Sequence, residues 1–488
     1  MTHNPIDYAV SMNFGYFSNK LRSYLLNNGF QNGVYVNYDC IIDLCNKSIS
    51  WLVERFIEIT KQMLVSFEDV QYFMAFYSET ANPLNKKMIS FRQVCRYILS
   101  VIPSLELSMN KASKSEFGKM MDLCQLLALS NLIQMFNQAR AIQVIMQKAC
   151  LNITINDRFV DVDYTDSLII DINKMLSNKN LRIHKNYIPD YVFPNVVEIL
   201  GSNCNDIAHS IIDYTSKLAF CKSTIFEITR EIIGNENDDF VKGFLFDRAN
   251  VNLIGSIVNP LNFNFRTRFK PLICLYIDGQ KRVFSTPWLI HEAIEEISNN
   301  LIPYDTLPNG WNSFQNLINL KRKATDDLGK AFEREVLSVL LSKFIVRHNI
   351  VAINNKSLKK QLAPNTTRAI GEIDYIVVDA NSEKIYVIDA KCTKTKFYFQ
   401  SFPKDKDIFL GYSIKLQDKT EWVATHLNDV AKEFKLDNLN GYRVEGLFVT
   451  NSLIFYGFFS DYPIIPLDKL LLYFQTGDRL CVIPKSYF

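Results

Sequence analysis

The sequence predicts a C-terminal α/β domain, a mixed sheet with helices on its faces, preceded by a mainly α N-terminal region with a small β-containing part. Three observations predict it. Apolar residues recur at helical spacing through much of the first 150 positions. Strand-like runs rich in Ile, Val and Tyr stand at 371–378, 385–391 and 444–450. A helical stretch at 421–434 separates the last two, and strand–helix–strand requires a crossover, so parallel pairing joins an antiparallel hairpin in one sheet.

A chain of 488 residues is expected to make two or three domains. Leu307-Pro308-Asn309-Gly310 is the clearest turn cluster ahead of the strand-rich end. It divides the chain into 1–150, mainly helical; 151–310, mixed α+β with a recognition or regulatory role; and 311–488, the α/β domain.

In the first part, 51–59 and 91–102 carry helical periodicity, the latter stopped by Pro103. Residues 118–150 are apolar on more than one side, the mark of a helix buried among others. Asp39, Cys40, Asp43 and Cys45 lie close in sequence, but nothing supplies the remaining ligands of a metal site. In the middle part, 153–162 reads as a hairpin, and 192–219 and 225–233 read as helices. Residues 263–285 read as a second hairpin, turned by Asp278-Gly279. Its arms carry Arg266, Arg268 and Lys270 on one side and Lys281 and Arg282 on the other. Alternation with Phe and Thr sets the basic side chains on one face, as phosphate contact requires. A solvated strand face is the stronger reading, with Arg266 and Arg268 kept as nucleic-acid candidates. His291, Glu292, Glu295 and Glu296 open the next helix. It lacks a second histidine at zincin spacing and reads as a solvent-facing acidic helix. Residues 311–323 read as a connecting helix.

The chemistry concentrates further on. Asp379-Ala380-Asn381-Ser382-Glu383 supplies turn residues between Gly371–Val378 and Ile385–Lys391. Centring the turn on Asn381-Ser382 pairs Val378 with Ile385 and Asp374 with Asp389, whose Cβ atoms would lie ~4.5–5.5 Å apart. Carboxylates that close raise each other's proton affinity unless a cation lies between them. Lys391, two residues after Asp389, shares its face. Two acids and a lysine amid apolar strand residues are costly to bury without a function. They read as a divalent-metal site with a cationic helper. Upstream, 326–341 is an amphipathic helix with Phe332, Val336, Val339 and Leu340 on its apolar stripe. Glu333 and Glu335 flank that stripe, where a third carboxylate can face the hairpin.

At these residues the sequence resembles the PD-(D/E)XK nuclease superfamily, with its restriction-endonuclease-like fold. Gly329-x-x-Phe332-Glu333 resembles the helix motif of Mrr-type restriction enzymes and Holliday-junction resolvases. Gly371-Glu372-Ile373-Asp374 and Asp389-x-Lys391 are similar to the rest of that core and to the nuclease-related domain. The resemblance covers about the last third of the chain. The proline of the name-giving motif is absent, and Asp389 stands where Glu is commoner, which leaves the subfamily open. The resemblance implies an α/β/α sandwich and a Mg²⁺-dependent endonuclease, with Mn²⁺ able to substitute. Asp374 and Asp389 would hold the ion, Glu333 would complete or orient the site, and Lys391 would position the attacking water. DNA is the expected substrate, RNA the second candidate, and restriction or anti-phage defence the setting by analogy. Beyond Lys391, Lys394 and Lys396 interleave with Phe397, Tyr398 and Phe399, a pattern suited to a nucleic-acid strand. Two rival readings remain: a non-catalytic nucleic-acid-binding or assembly module on the same fold, and a structural salt bridge. The salt bridge leaves the second acid and Glu333 unexplained.

Composition bounds the rest. With 48% hydrophobic and 22% charged residues this is an ordinary globular chain. A formal charge of only +3 excludes a globally basic binder, so any nucleic-acid contact must come from a local patch. Ten cysteines without a C-x-x-C pair read as free thiols in a reducing cytosol, and the expected location is cytoplasmic. The start lacks the pattern of a signal peptide. The most apolar run, 123–133, falls short of the ~20 residues needed to span a bilayer, so no membrane partner is expected. A homodimer or a partner protein would engage through the N-terminal region. The tail is expected to add edge strands at 455–459 and 480–483 around a helix at 467–474.

Overall fold

A computed structural model of the chain describes residues 5–80, 91–146, 150–167, 169–170, 189–203, 225–228, 243–258, 269–304, 307, 311–312, 314–364, 366–393 and 402–479. Helices and mixed sheets make up two compact units: 1–166 with 190–324, and 167–189 with 325–488. The division at 324/325 falls inside a continuous helix, Gln315–Leu341, past the Leu307–Gly310 turn cluster.

The first unit opens on helices Pro5–Asn27, Tyr38–Met63, Phe67–Thr80, Arg92–Leu99 and Glu116–Met146. Tyr38–Met63 starts where the Asn37 side chain accepts from the backbone N–H groups of Asp39 and Cys40, at 2.9 and 3.3 Å. It buries Leu44, Leu52, Phe56 and Met63 on one stripe. Pro103 lies just past Arg92–Leu99, in a 3-10 turn. In Glu116–Met146, Leu123, Leu126, Leu129 and Ile133 are all buried, as all-round apolarity requires. The Asp39–Cys45 group disperses: Asp43 pairs with Lys47, Cys40 is exposed and Cys45 is buried.

Among the described residues two sheets complete this unit. Gly33–Tyr35 pairs with the hairpin Leu151–Ile155/Val160–Tyr164. The second sheet holds the hairpin Leu272–Ile277/Gln280–Ser285, whose turn residues Asp278 and Gly279 have φ of 48° and 78°, the left-handed pair a two-residue hairpin needs. Two expectations are corrected here. Within 225–233 the described stretch Phe226–Ile228 is a strand paired with Gln280–Ser285, where Glu227 accepts from Arg282 and Ile228 is buried. Lys281, exposed, and Arg282, half-buried, keep the solvated face expected of them, with their charges paired to Asp247 and Glu227. Glu292, by contrast, is not solvent-facing. It is 4% exposed and accepts from Tyr77 at 2.5 Å, Arg96 at 2.6 Å and Arg92 at 3.1 Å. Three charge-assisted hydrogen bonds offset the cost of burying that carboxylate. Of the expected helix 192–219, Val192–Asn203 is helical and the remainder lies outside the described residues, as do Arg266, Arg268, Lys394, Lys396 and 480–483.

The second unit carries the elements numbered from here: α1 (Gln315–Leu341), β1 (Ile345–Ile350), β2 (Ile373–Asp379), β3 (Lys384–Lys391), α2 (Phe402–Thr425), α3 (Leu427–Phe434), β4 (Arg443–Thr450), β5 (Ile464–Pro466) and α4 (Leu470–Thr476). The sheet runs β5-β4-β3-β2-β1. β1, β2 and β3 are antiparallel neighbours, whereas β4 and β5 add in parallel, so the sheet is mixed as expected. Val378 pairs with Ile385 and Tyr375 with Ile388, the register read from the turn residues. Asp379 sets that turn: its carboxylate accepts from Asn381 N at 3.0 Å and from the Ser382 hydroxyl at 2.6 Å.

Helices cover both faces. Phe332, Val336 and Leu340 of α1, with Leu470 and Tyr473 of α4, pack on Tyr375, Val377, Tyr386 and Ile388. On the other face Phe409, Leu416 and Trp422 of α2, with Val430 and Phe434 of α3, pack on Ile376, Val378, Ile385 and Val387. The expected helix at 421–434 is therefore the end of α2 and all of α3, broken at His426. Residues Phe455–Phe458 form a 3-10 turn where an edge strand was expected, and the edge strand is β5. Gly446 of β4 admits α2 to the sheet: a Cβ there would meet Thr420 Oγ1 at 2.6 Å and the Tyr462 ring at 2.9 Å. Gly446→Ala is expected to cost about 1–3 kcal/mol by overpacking. A urea melt showing an unchanged midpoint would contradict that contact.

Candidate functional site

β2 begins where β3 ends, so antiparallel pairing brings Asp374 and Asp389 to one end of the sheet. Continuing the Tyr375–Ile388 register by one step sets them opposite each other. Alternation then places both acids and Lys391 on the face shared by Ile376 and Val387, under α2. Asp389 is 4% exposed. The Lys391 ammonium donates to Asp389 Oδ1 at 2.9 Å and lies 5.1 Å from the Tyr412 ring centre. The Ala390 N–H donates to Asp374 Oδ2 at 2.9 Å, and the two carboxyl groups hydrogen-bond to each other.

That mutual hydrogen bond needs a proton, and the surroundings decide which acid carries it. Burial, then the Asp389 charge, pushes Asp374 up to about 7. Burial acts on Asp389 in the same sense, but the Lys391 and Lys419 ammonium groups overcome it and hold Asp389 below the usual carboxylate range. The distances explain the asymmetry. Lys391 and Lys419 reach Asp389 Oδ1 at 2.9 and 3.5 Å, whereas the ammonium group paired with Asp374 Oδ1 among the described residues is that of Lys419, at 3.9 Å. Lys391 would lose its proton more readily by burial, but the two carboxylates more than compensate and keep it cationic.

Lys419, buried on α2, is the site residue that the sequence reading missed. Its signal was there: Leu416, Lys419, Trp422 and Val423 follow one helical stripe, and a lysine on a buried stripe requires a partner.

Glu333 arrives from the opposite side of the sheet. Phe332, its neighbour on α1, packs on the Tyr375 face, and the Tyr375 hydroxyl donates to the Glu333 carbonyl at 2.7 Å. The Glu333 carboxyl is raised by burial and by Glu372, against the pull of Lys391 and Lys330. It makes no hydrogen bond or ion pair among the described residues, so it borders the acidic pair through its field and not by contact. Among the described residues no three His, Cys, Asp or Glu side chains gather into a metal cage.

The donor set fits a hard divalent cation. Asp374, with its proton affinity raised beside Asp389, faces it across the strand pair, and a cation of oxygen preference can replace that proton. The two lysines bring charge compensation that any such ion must displace or share. No helix of the described residues is long and apolar enough to cross a membrane. Comparison with protein-family models, with curated proteins and with solved structures returned no match, so geometry alone carries the functional case.

Proposed function

We propose that the second unit is a metal-dependent phosphodiesterase, a nuclease of the PD-(D/E)XK superfamily with the restriction-endonuclease-like α/β/α sandwich. DNA is the preferred substrate, and cleavage would be endonucleolytic, in restriction or anti-phage defence. The first unit would then recognise substrate, partner or trigger. One observation supports this above the rest: Asp374, Asp389 and Lys391 converge at one end of a mixed sheet, with the acids close enough to share a proton.

Asp374 and Asp389 would hold Mg²⁺ or Mn²⁺, with Glu333 orienting the outer side of the site. A divalent ion there supplies charge neutralisation for a phosphodiester and lowers the pKa of water. Lys391 stays cationic beside Asp389, where its ammonium can orient an attacking water and stabilise charge developing on the phosphate. Lys419 holds Asp389 ionised, and so ready for a cation, from the α2 side.

A second reading draws on that same lysine. Two ammonium groups against two carboxyl groups that hold one proton between them leave no uncompensated negative charge, so the set stands without any metal, as a non-catalytic nucleic-acid-binding or assembly module would allow. Incubation with supercoiled, linear and single-stranded DNA and with RNA, in Mg²⁺ or in EDTA, separates the two. The nuclease reading expects Mg²⁺-dependent cutting that Lys391→Ala reduces by about 10²–10³ while nucleic-acid affinity is retained. Cutting by neither protein, together with a lowered melting temperature for Lys391→Ala, would leave only the structural role.

A further inference from the structure

A cleft of about 430 Å³ opens between α1 and strands β1 and β2. Lys330, Glu333 and Arg334 of α1 form one wall, and His348 of β1 the other. Tyr375 lies at its base, its ring buried and its hydroxyl spent on the Glu333 carbonyl. That volume falls within the range of pockets that take a small ligand or a nucleotide.

Three basic side chains, Lys330, Arg334 and His348, line this opening, with Glu333 in the field of Lys330 but not in contact with it. Among the described residues Lys330 and His348 make no ion pair, and Arg334 donates only to the Lys330 carbonyl, at 3.2 Å. The basic residues of the 272–285 hairpin are the contrast, since Lys281 and Arg282 are paired with acids. Lysine and arginine charges left without an ion pair around a concave surface, with a ring N–H beside them, are what phosphate contacts draw on. Asp327 and Glu333 also line the cleft, so it suits a chain whose phosphates are spaced by sugars and bases better than a dense polyanion. The cleft adjoins the acidic pair through β2: Tyr375 at its base follows Asp374 in the strand, and the Tyr375 hydroxyl holds the Glu333 carbonyl.

We infer that this cleft seats the phosphodiester backbone of the bound strand, with Lys330, Arg334 and His348 contacting phosphates next to the one that reaches Asp374 and Asp389. The direction of the strand rests on the nuclease reading; the anion site does not. Two measurements test it. In the full-length Lys391→Ala protein with EDTA, binding of a short labelled single strand is followed by anisotropy against salt. Adding Lys330→Ala and Arg334→Ala, both exposed changes, is expected to weaken binding at least about tenfold. The same pair should flatten the slope of log affinity against log salt by roughly 1 to 1.5. Unchanged affinity and slope, in a protein whose parent cuts DNA, overturns the cleft assignment and leaves the nuclease reading intact.

The second measurement uses thymidine bisphosphate, phosphorylated on both sugar hydroxyls, and follows the His348 ring signals by NMR, assigned with His348→Asn. A shift that the Lys330→Ala/Arg334→Ala protein lacks supports the cleft even if no nucleic acid is ever cut. Absence of a shift at saturating bisphosphate overturns it.

Discussion

Asp374→Asn is expected to abolish Mg²⁺-dependent cutting and, in EDTA, to make the protein more stable above neutral pH. The two effects have one cause. Asp374 is raised to about 7 from 3.8 by burial and by the Asp389 charge. A group whose folded pKa is raised contributes stability that is complete below its unfolded pKa and lost as pH climbs through the folded one. The native protein therefore loses stability between about pH 4 and 7 that the uncharged amide keeps. At about 1.4 kcal/mol per pH unit the difference by pH 8 is on the order of 4 kcal/mol. Added Mg²⁺ should reverse the order, stabilising the native protein with proton release and leaving the variant unmoved. Urea melts at pH 5 and pH 8, with and without the ion, read both signs. Equal stability of the two proteins at pH 8 would mean that the acids do not compete for one proton. Undiminished cutting by the variant would remove Asp374 from the site.

The largest stability loss is expected in the first unit, from Glu292→Ala. Glu292 joins three segments: Tyr77 from Phe67–Thr80, Arg92 and Arg96 one turn apart on Arg92–Leu99, and its own helix Pro287–Glu296. Burial raises its carboxyl, but Arg96, the Tyr77 hydroxyl and Arg92 outweigh it and bring it down to about 2. Removing the acid leaves two guanidinium groups, one of them largely buried, without their counter-charge. Breaking a buried pair in that way costs about 3–5 kcal/mol. The pH signature has the sign opposite to that of Asp374. A depressed folded pKa gives stability that is present above about pH 4.5 and lost as pH falls toward 2, on the order of 3 kcal/mol in all. Glu292→Gln should be less destabilising than Ala and should lack that acid-side loss. A melt of Glu292→Ala within 1 kcal/mol of native, a threshold set at about the size of one ordinary hydrogen bond, would show that the clamp carries no net stability.

These two carboxylates mark how far the sequence could be read. Asp374, Asp389 and Lys391 were found because a hairpin is a local object. Asp379-Ala380-Asn381-Ser382-Glu383 fixes the turn, the turn fixes the register, and a period of two fixes the face. Glu292 was misread because its partners lie about 200 positions away in the sequence. No local pattern distinguishes an acid met by solvent from one met by Arg92 and Arg96. The strand at Phe226–Ile228 failed for a similar reason: three residues are too few to show a period, and its pairing with Gln280–Ser285 comes from elsewhere in the chain.

Side-chain periodicity and turn chemistry, both short-range, were enough to write down the acidic pair and its lysine on one strand face, a helix at 326–341 bearing Glu333 and the mixed character of the sheet. Long-range packing alone decided the rest. It brought Lys419 from α2 to 3.5 Å from Asp389, assigned the shared proton to Asp374, and put Glu333 on the other face of the sheet. The reason is that a charge takes its energy from whatever surrounds it within a few ångströms, and that neighbourhood is assembled from segments with no sequence signal of their proximity.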